Sequence, residues 1–334
     1  MTATRFDVVG LGNAIVDVLA RAEDSDLVRE GLQKGTMALI DEPRAEALYA
    51  KLGETVLMSG GSAANTINGV ASLGARAAFI GKVKDDALGR SFAHDLRATG
   101  VHFSTAPAKD GASTARCMIM VTPDGERTMN TFLGASQGLG PDDVDRNVVA
   151  ASGIVYLEGY LWDPPAAKEA FRRAADIAHE AGRQVALTLS DVFCVDRHRA
   201  EFLDLVRSGK VDIVFANESE AKALYETGDF DSAVGGFRQD ARLAVVTRSE
   251  KGCLIVSREG TRAVNASPVS RVVDATGAGD LFAAGFLTGL AKGLSHEDSA
   301  RLGAMAAAEV ISHMGARPET RLQDLARENG LLNA

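Results

Sequence analysis

Gly153-Ile-Val-Tyr-Leu-Glu158, a helical stretch at 165–181, and then Gln184-Val-Ala-Leu-Thr-Leu189 form the succession that decides the fold. Short apolar runs without polar alternation fit strands buried on both faces, as parallel strands are when crossover helices cover the sheet. The alternation continues toward the C-terminus. Residues 198–207 read as helix, Val211-Asp-Ile-Val-Phe-Ala216 as strand, 218–226 as helix and Leu243-Ala-Val-Val-Thr247 as strand. A hairpin-like segment follows at 252–266, and helices near 277–293 and 297–313 close this half. Such alternation predicts an α/β fold, a mostly parallel sheet with helices on both faces.

Toward the N-terminus, Phe6-Asp-Val-Val-Gly-Leu-Gly12 reads as another buried strand ending in glycines, and residues 13–58 are mixed. Gly60-Gly-Ser-Ala-Ala-Asn65 opens a helix of small residues that runs toward Gly74, with Ser62 as its expected N-cap. Ala77-Ala-Phe-Ile-Gly81 is strand-like, and 86–99 is helical with Gly100 as its stop. Residues 101–135 differ. Two β-like runs, 114–121 and 126–132, flank the turn Pro123-Asp-Gly125, which predicts an antiparallel hairpin. With no internal repeat or long linker, the chain reads as one α/β domain over residues 1–334 carrying a small β-rich appendage.

Composition narrows the function classes. A net charge of -9 and scattered Lys and Arg leave no basic patch to neutralise a nucleic-acid backbone, and they disfavour anionic membranes. No apolar run approaches the ~20 residues that span a bilayer, and Met1–Gly10 lacks the apolar stretch of a signal peptide. The three cysteines, Cys117, Cys194 and Cys253, are too widely spaced for a zinc or redox motif, so a reducing, cytoplasmic location is expected.

Three glycine-containing runs carry candidate chemistry. In Asp274-Ala-Thr-Gly277-Ala-Gly279-Asp280, glycines at a helix start leave backbone N–H groups free to hold an anion, and Asp280 would sit beside it. For phosphoryl transfer, the N–H groups would stabilise developing charge while the carboxylate accepts a hydroxyl proton. A helix start favours ionised Asp280, so the base need not have a raised pKa. The same run also serves as a plain turn whose acid caps the first helical turn. Gly60 and Gly61 would let a ligand approach the backbone, with Asn65 one turn on to bond sugar hydroxyls; the alternative is a tight turn with a packing Asn. In Gly10-Leu-Gly12-Asn13-Ala-Ile15-Val-Asp17, Ile15 replaces the third glycine of a dinucleotide fingerprint. Asn13 and Asp17 are polar groups displayed after a strand, either for sugar hydroxyls or as an Asn/Asp turn. The P-loop and the protein-kinase motifs are absent.

Together, Gly60–Asn65 through Gly89 and Asp274–Asp280 resemble the two signatures of the ribokinase-like (PfkB-type) carbohydrate and nucleoside kinases, and the resemblance covers about residues 5–320. It implies a three-layer αβα sandwich with a mostly parallel central sheet and a β-rich lid drawn from segments about 13–40 and 103–135. It implies Asp280 as catalytic base and the N–H groups of Gly277, Ala278 and Gly279 as anion hole. Asn217-Glu-Ser-Glu220 resembles the family's Asn-x-x-Glu motif, which organises Mg²⁺ and phosphate through water. Thr247 to Gly252 resembles the segment near the ATP phosphates, and Arg127 resembles a lid arginine that neutralises the transferred phosphate. A monovalent cation, K⁺, is implied near Asp274 and Thr276, completed by backbone around Gly315-Ala316.

The four-residue spacing of Asn13 and Asp17 is similar to that of the family's adenosine kinases, as is Tyr156-Leu-Glu-Gly159-Tyr160-Leu161-Trp162. Where an aromatic ring would stack on the base, Leu161 stands, beside Tyr160 and Trp162. The resemblance implies Mg-ATP-dependent phosphorylation of a nucleoside 5′-hydroxyl, adenosine foremost. Asn13, Asp17, Gly60, Gly61 and Asn65 would hold the ribose. A sugar or sugar-acid kinase (ribose, fructose or 2-keto-3-deoxygluconate type) is the second expectation. A non-catalytic nucleotide-binding protein is the third, against which Asp280, Asn217 and Glu220 argue. Expected partners are small molecules, with neither nucleic acid nor membrane. Monomer and homodimer both stay open.

Overall fold

The computed structural model describes residues 4–333; residues 1–3 and 334, the ends of the domain expected over 1–334, lie outside the described residues. In chain order the first half runs β1 (Phe6–Leu11), β2 (Ile15–Arg21), α1 (Asp24–Arg29), β3 (Met37–Leu39), α2 (Glu42–Tyr49), β4 (Thr55–Gly60), α3 (Ser62–Ser72), β5 (Ala77–Ile80), α4 (Ala87–Ala98), β6 (His102–Phe103), β7 (Ala115–Val121) and β8 (Arg127–Phe132). The second half runs α5 (Arg146–Ala150), β9 (Ser152–Glu158), α6 (Pro165–Glu180), β10 (Gln184–Thr188), α7 (Val192–Arg207), β11 (Ile213–Asn217), α8 (Glu218–Leu224), α9 (Phe230–Asp240), β12 (Leu243–Thr247), β13 (Cys253–Ser257), β14 (Gly260–Val264), α10 (Ala278–Ala291), α11 (His296–Val310) and α12 (Leu322–Glu328).

The larger sheet has the order β14-β13-β12-β11-β10-β9-β1-β5-β6. From β12 to β6 every pairing is parallel, and β13 and β14 add an antiparallel edge. The period of two sorts side chains between the faces. Val8, Phe79, Ile154 and Tyr156 pack toward α3, α10 and α11, whereas Val9, Ile80, Val155 and Leu157 join α6 and α7 on the other side. This is the expected three-layer α/β arrangement.

The smaller sheet, in the order β3-β8-β7-β2-β4, contains the expected hairpin β7–β8. It also takes β4, which lies beyond the expected segments, whereas β6 joins the larger sheet. Here alternation separates a packed face from an open one. Met118 and Met120 pack on Leu27, Ala45 and Leu48 of α1 and α2, while Cys117 and Ile119 face a cleft.

Helix α10 is apolar on nearly all sides, with Leu281 through Gly289 buried among α3, α11 and the sheet. Burial of side chains such as Phe286 and Leu287 stabilises by roughly 1.5–3 kcal/mol each, which fixes where this helix begins. Helices α9 and α12 were not expected from sequence, and α7 begins at Val192, ahead of the expected 198–207, with a local break at His198. Among the described residues no helix is long and apolar enough to cross a membrane, and all three cysteines are buried and free.

Candidate active site

A cleft of about 870 Å³ lies between the smaller sheet and the C-terminal ends of the parallel strands, where open α/β sheets bind ligands. The start of α10 forms part of its wall. Gly277 is the N-cap, with φ 80°, a left-handed conformation that a side chain disfavours. The first intrahelical bond is Leu281 N–H to the Gly277 carbonyl, 2.8 Å. The N–H groups of Gly279 and Asp280 precede it at the cleft, as an anion site requires. Ala278 departs from expectation: its N–H donates to the Ala275 carbonyl at 3.3 Å.

Asp280 is held from α3. Ser62 Oγ donates to its Oδ1 at 2.6 Å and Asn65 Nδ2 to its Oδ2 at 3.1 Å. Ser62 therefore does not cap α3; Gly61, at φ 97°, is the N-cap and frees the Ser62 hydroxyl for the acid. Asp280 does not need a raised pKa for this role, yet it has one. Burial in the cleft pushes its pKa up to about 6 against the two hydrogen bonds, so burial outweighs the helix start. At neutral pH the carboxylate still predominates and can accept a proton. Asn65 Oδ1 is buried without a hydrogen-bond partner and its residue lines the cleft.

Asp17 lines the cleft, and burial pushes it up to about 6 despite the nearby Arg127 and Arg317 charges. Gly60 packs against its carboxylate, where a Cβ would collide, and a Cβ at Gly61 would meet the Asn13 carbonyl. Both glycines thus shape the wall that presents Asp17. Asn13 is only 1% exposed, and its amide is already engaged: Nδ2 donates to Glu158 Oε1 at 2.7 Å, and Oδ1 accepts from Ser136 Oγ at 2.8 Å and Gln137 Nε2 at 3.1 Å. Sequence reasoning missed Glu158. Its Oε2 accepts the Ala63 N–H at 2.8 Å, and burial pushes it up to about 7. An acid at the end of an apolar strand, beside the cleft, was the available signal.

Arg127 was expected at the transferred phosphate, but its Nη1 is paired with Asp274 Oδ2, both side chains being nearly buried, and its Nε lacks an acceptor. Asp274 Oδ2 also accepts the Gly315 N–H at 2.9 Å, and Oδ1 accepts the Thr276 N–H at 2.9 Å. Burial opposes ionisation of Asp274, yet these donors and the Arg127 charge together hold its carboxyl below the usual range. The expected K⁺ does not fit this carboxylate. Both oxygens face N–H donors, and Gly315 offers its N–H here. A second cation ~4 Å from the guanidinium would be repelled by about 4 kcal/mol at an effective dielectric of ~20.

Toward the other end of the cleft, Asn217 and Glu220 form a capping box at the start of α8. Glu220 accepts the Asn217 N–H at 3.0 Å, and burial pushes it up to about 7. Thr247 and Gly252 line the same region. Among the described residues no group of three or more His, Cys, Asp or Glu is placed to hold a metal directly. Tyr160 lines the cleft at 37% exposure, but Leu161 and Trp162 turn inward: both are fully buried in the core, Trp162 against Phe171 and Phe202. Leu161 therefore does not face the cleft. A second and more exposed ring at the cleft is Phe193, 75% exposed at the start of α7, which sequence reasoning missed.

Residues 37–321 match the pfkB family of carbohydrate kinases. A probable sugar kinase from Rhizobium etli CFN 42 is 53% identical with a TM-score of 0.91, the match covering 98% of this chain and 100% of that one. An adenosine kinase from Sinorhizobium meliloti is 56% identical with a TM-score of 0.90, covering 97% and 99%. Adenosine kinase of Saccharomyces cerevisiae is 28% identical over 331 residues, 92% of this chain and 95% of the yeast protein. A glycine-turned helix start with a hydrogen-bonded carboxylate beside it, on a chain matched over this length, identifies a phosphotransferase with an alcohol acceptor, and the chain belongs to the pfkB family of carbohydrate kinases.

Proposed function

We propose that the chain transfers the γ-phosphoryl group of ATP to the 5′-hydroxyl of a nucleoside, adenosine first, giving AMP. The observation that carries this is the two-sided acceptor end of the cleft. One side is polar, with Asp280, Asp17 and the unpartnered Asn65 Oδ1. The other is the apolar open face of the smaller sheet, Ile15, Ile119 and Met129, with Leu133 just past β8 and the Phe193 ring beyond. A free sugar would satisfy the polar side and leave the apolar side wet. A nucleoside fills both, its flat base against apolar and aromatic surface. The names of the Sinorhizobium and yeast relatives support the same acceptor.

In this account Asp17 and Asn65 bind ribose hydroxyls, and Glu158 positions Asn13 and the start of α3. Asp280 accepts the 5′-hydroxyl proton as that oxygen attacks phosphorus, and the Gly279 and Asp280 N–H groups hold the developing negative charge. Arg127 braces this turn through Asp274. ATP lies toward Thr247, Gly252, Asn217 and Glu220. Mg²⁺ would supply charge neutralisation at the phosphates, with Glu220 and Asn217 as the residues that would hold its waters. The smaller sheet serves as the lid that excludes water during transfer.

A sugar acceptor is the second reading. It is favoured by the polar groups Asn13, Asp17 and Glu158 along the cleft and by the name of the Rhizobium relative. ADP release measured side by side with adenosine, inosine, ribose, fructose and 2-keto-3-deoxygluconate decides between them. Adenosine is expected to give the highest kcat/KM; turnover of a free sugar alone would overturn the nucleoside assignment.

A further inference from the structure

Asp274 stands two residues before Thr276 and three before the left-handed Gly277 that opens α10, so whatever neutralises its charge also braces the anion turn. In this chain that charge is met from within. Arg127, at the first position of β8 in the smaller sheet, crosses to Asp274 Oδ2, joining residues 147 apart. The remaining capacity of the carboxylate is taken by the N–H groups of Thr276 and Gly315. Gly315 is at φ 102°, a conformation that turns its N–H onto Asp274. A guanidinium is permanently charged and matches a carboxylate directionally, whereas an alkali cation needs a cage of oxygens. Around Asp274 the second partners are hydrogen-bond donors.

We propose that the Arg127 guanidinium stands at Asp274 in place of a monovalent cation, so that the protein holds no K⁺ there and its anion turn is braced only when the smaller sheet is seated. The brace is then an element of the lid itself, and ordering the turn is tied to lid position and independent of the ionic medium. This holds whichever hydroxyl accepts the phosphoryl group.

The test uses the full chain and thallium(I) as a K⁺ probe. Thallium NMR reports binding directly, and melting temperature is compared in KCl, NaCl and choline chloride at equal ionic strength. For the unmodified protein we expect no K⁺-displaceable thallium signal and the same melting temperature in all three salts. For Arg127→Met we expect a lower melting temperature in all three salts and still no K⁺-displaceable thallium signal, because the N–H donors of Thr276 and Gly315 leave no oxygen cage to take up the cation, and for Arg127→Lys no signal either. A K⁺-displaceable signal or a K⁺-specific rise in melting temperature in the unmodified protein overturns the proposal. So does a folded Arg127→Met protein whose lost melting temperature is restored by KCl and not by NaCl or choline chloride. If Arg127→Met does not fold, the unmodified protein and Arg127→Lys decide alone. These readouts need no turnover, so an inactive preparation, which would count against the kinase mechanism, leaves this test intact.

Discussion

Ser62 Oγ donates a 2.6 Å hydrogen bond to Asp280 Oδ1, joining the start of α3 to the first turn of α10 across 218 residues of sequence. This bond favours the charged carboxylate and opposes the burial that raises its pKa. In Ser62→Ala the pKa should climb further, by about one unit for each ~1.4 kcal/mol of interaction lost. The acid limb of the pH–rate profile should move toward neutral pH, with a much smaller loss at alkaline pH. An acid limb that stays in place would show that Ser62 does not tune the base.

The unmodified enzyme has its own pH signature. Asp280 and Asp17 both lie at about 6, raised by burial, and both are required ionised. Activity should therefore fall as pH drops through about 6, more steeply than a single ionisation allows. Measured kcat/KM that stays flat down to about pH 4.5 would contradict these assignments.

Gly61 combines a φ of 97° with a position against the Asn13 carbonyl. Gly61→Ala should destabilise by about 1–3 kcal/mol from backbone conformation alone, with the collision adding to it. KM for the acceptor should rise with it, because Asn13 and Asp17 share that wall. Urea denaturation together with steady-state kinetics checks both.

Phe193 separates the two acceptor classes. Stacking on a base contributes roughly 1–3 kcal/mol. Phe193→Ala should raise KM for adenosine about tenfold or more and leave any slow turnover of ribose unchanged. Equal losses on both acceptors would indicate a role in packing only.

Much of the fold was legible because buried parallel strands carry a strong signal: β1, β5, β9, β10, β11 and β12 fall where their apolar runs predict. Helix α9 was hidden by the Gly235-Gly236 pair, which lowers helix propensity; burial of Ala233, Val234 and Phe237 and the Asp229 cap override that local cost. Strand β2 was hidden because alternate residues face the cleft or solvent and Asp17 interrupts its apolar run, and β4 was hidden because its apolar run is only Val56-Leu57-Met58. At the candidate site, Asp280, Asp17, Asn65 and Glu220 were named from motifs, and all line one cleft. What escaped was set by long-range contact. Ser62 looked like a cap because its partner lies across the chain. Leu161 turned inward because a short helical turn after β9 packs it with Trp162. The Arg127–Asp274 pair joins the smaller sheet to the segment before α10, which no local pattern connects.

The most direct measurement is single-turnover phosphoryl transfer by Asp280→Asn, made alongside equilibrium binding of ATP and adenosine. Removing a positioned general base costs about 10²–10⁴ in rate. Binding of both ligands close to that of the unmodified enzyme, with transfer slowed by that factor, is the predicted result. Asp280→Asn protein that binds both substrates and still transfers phosphate at full rate would contradict the account at its centre.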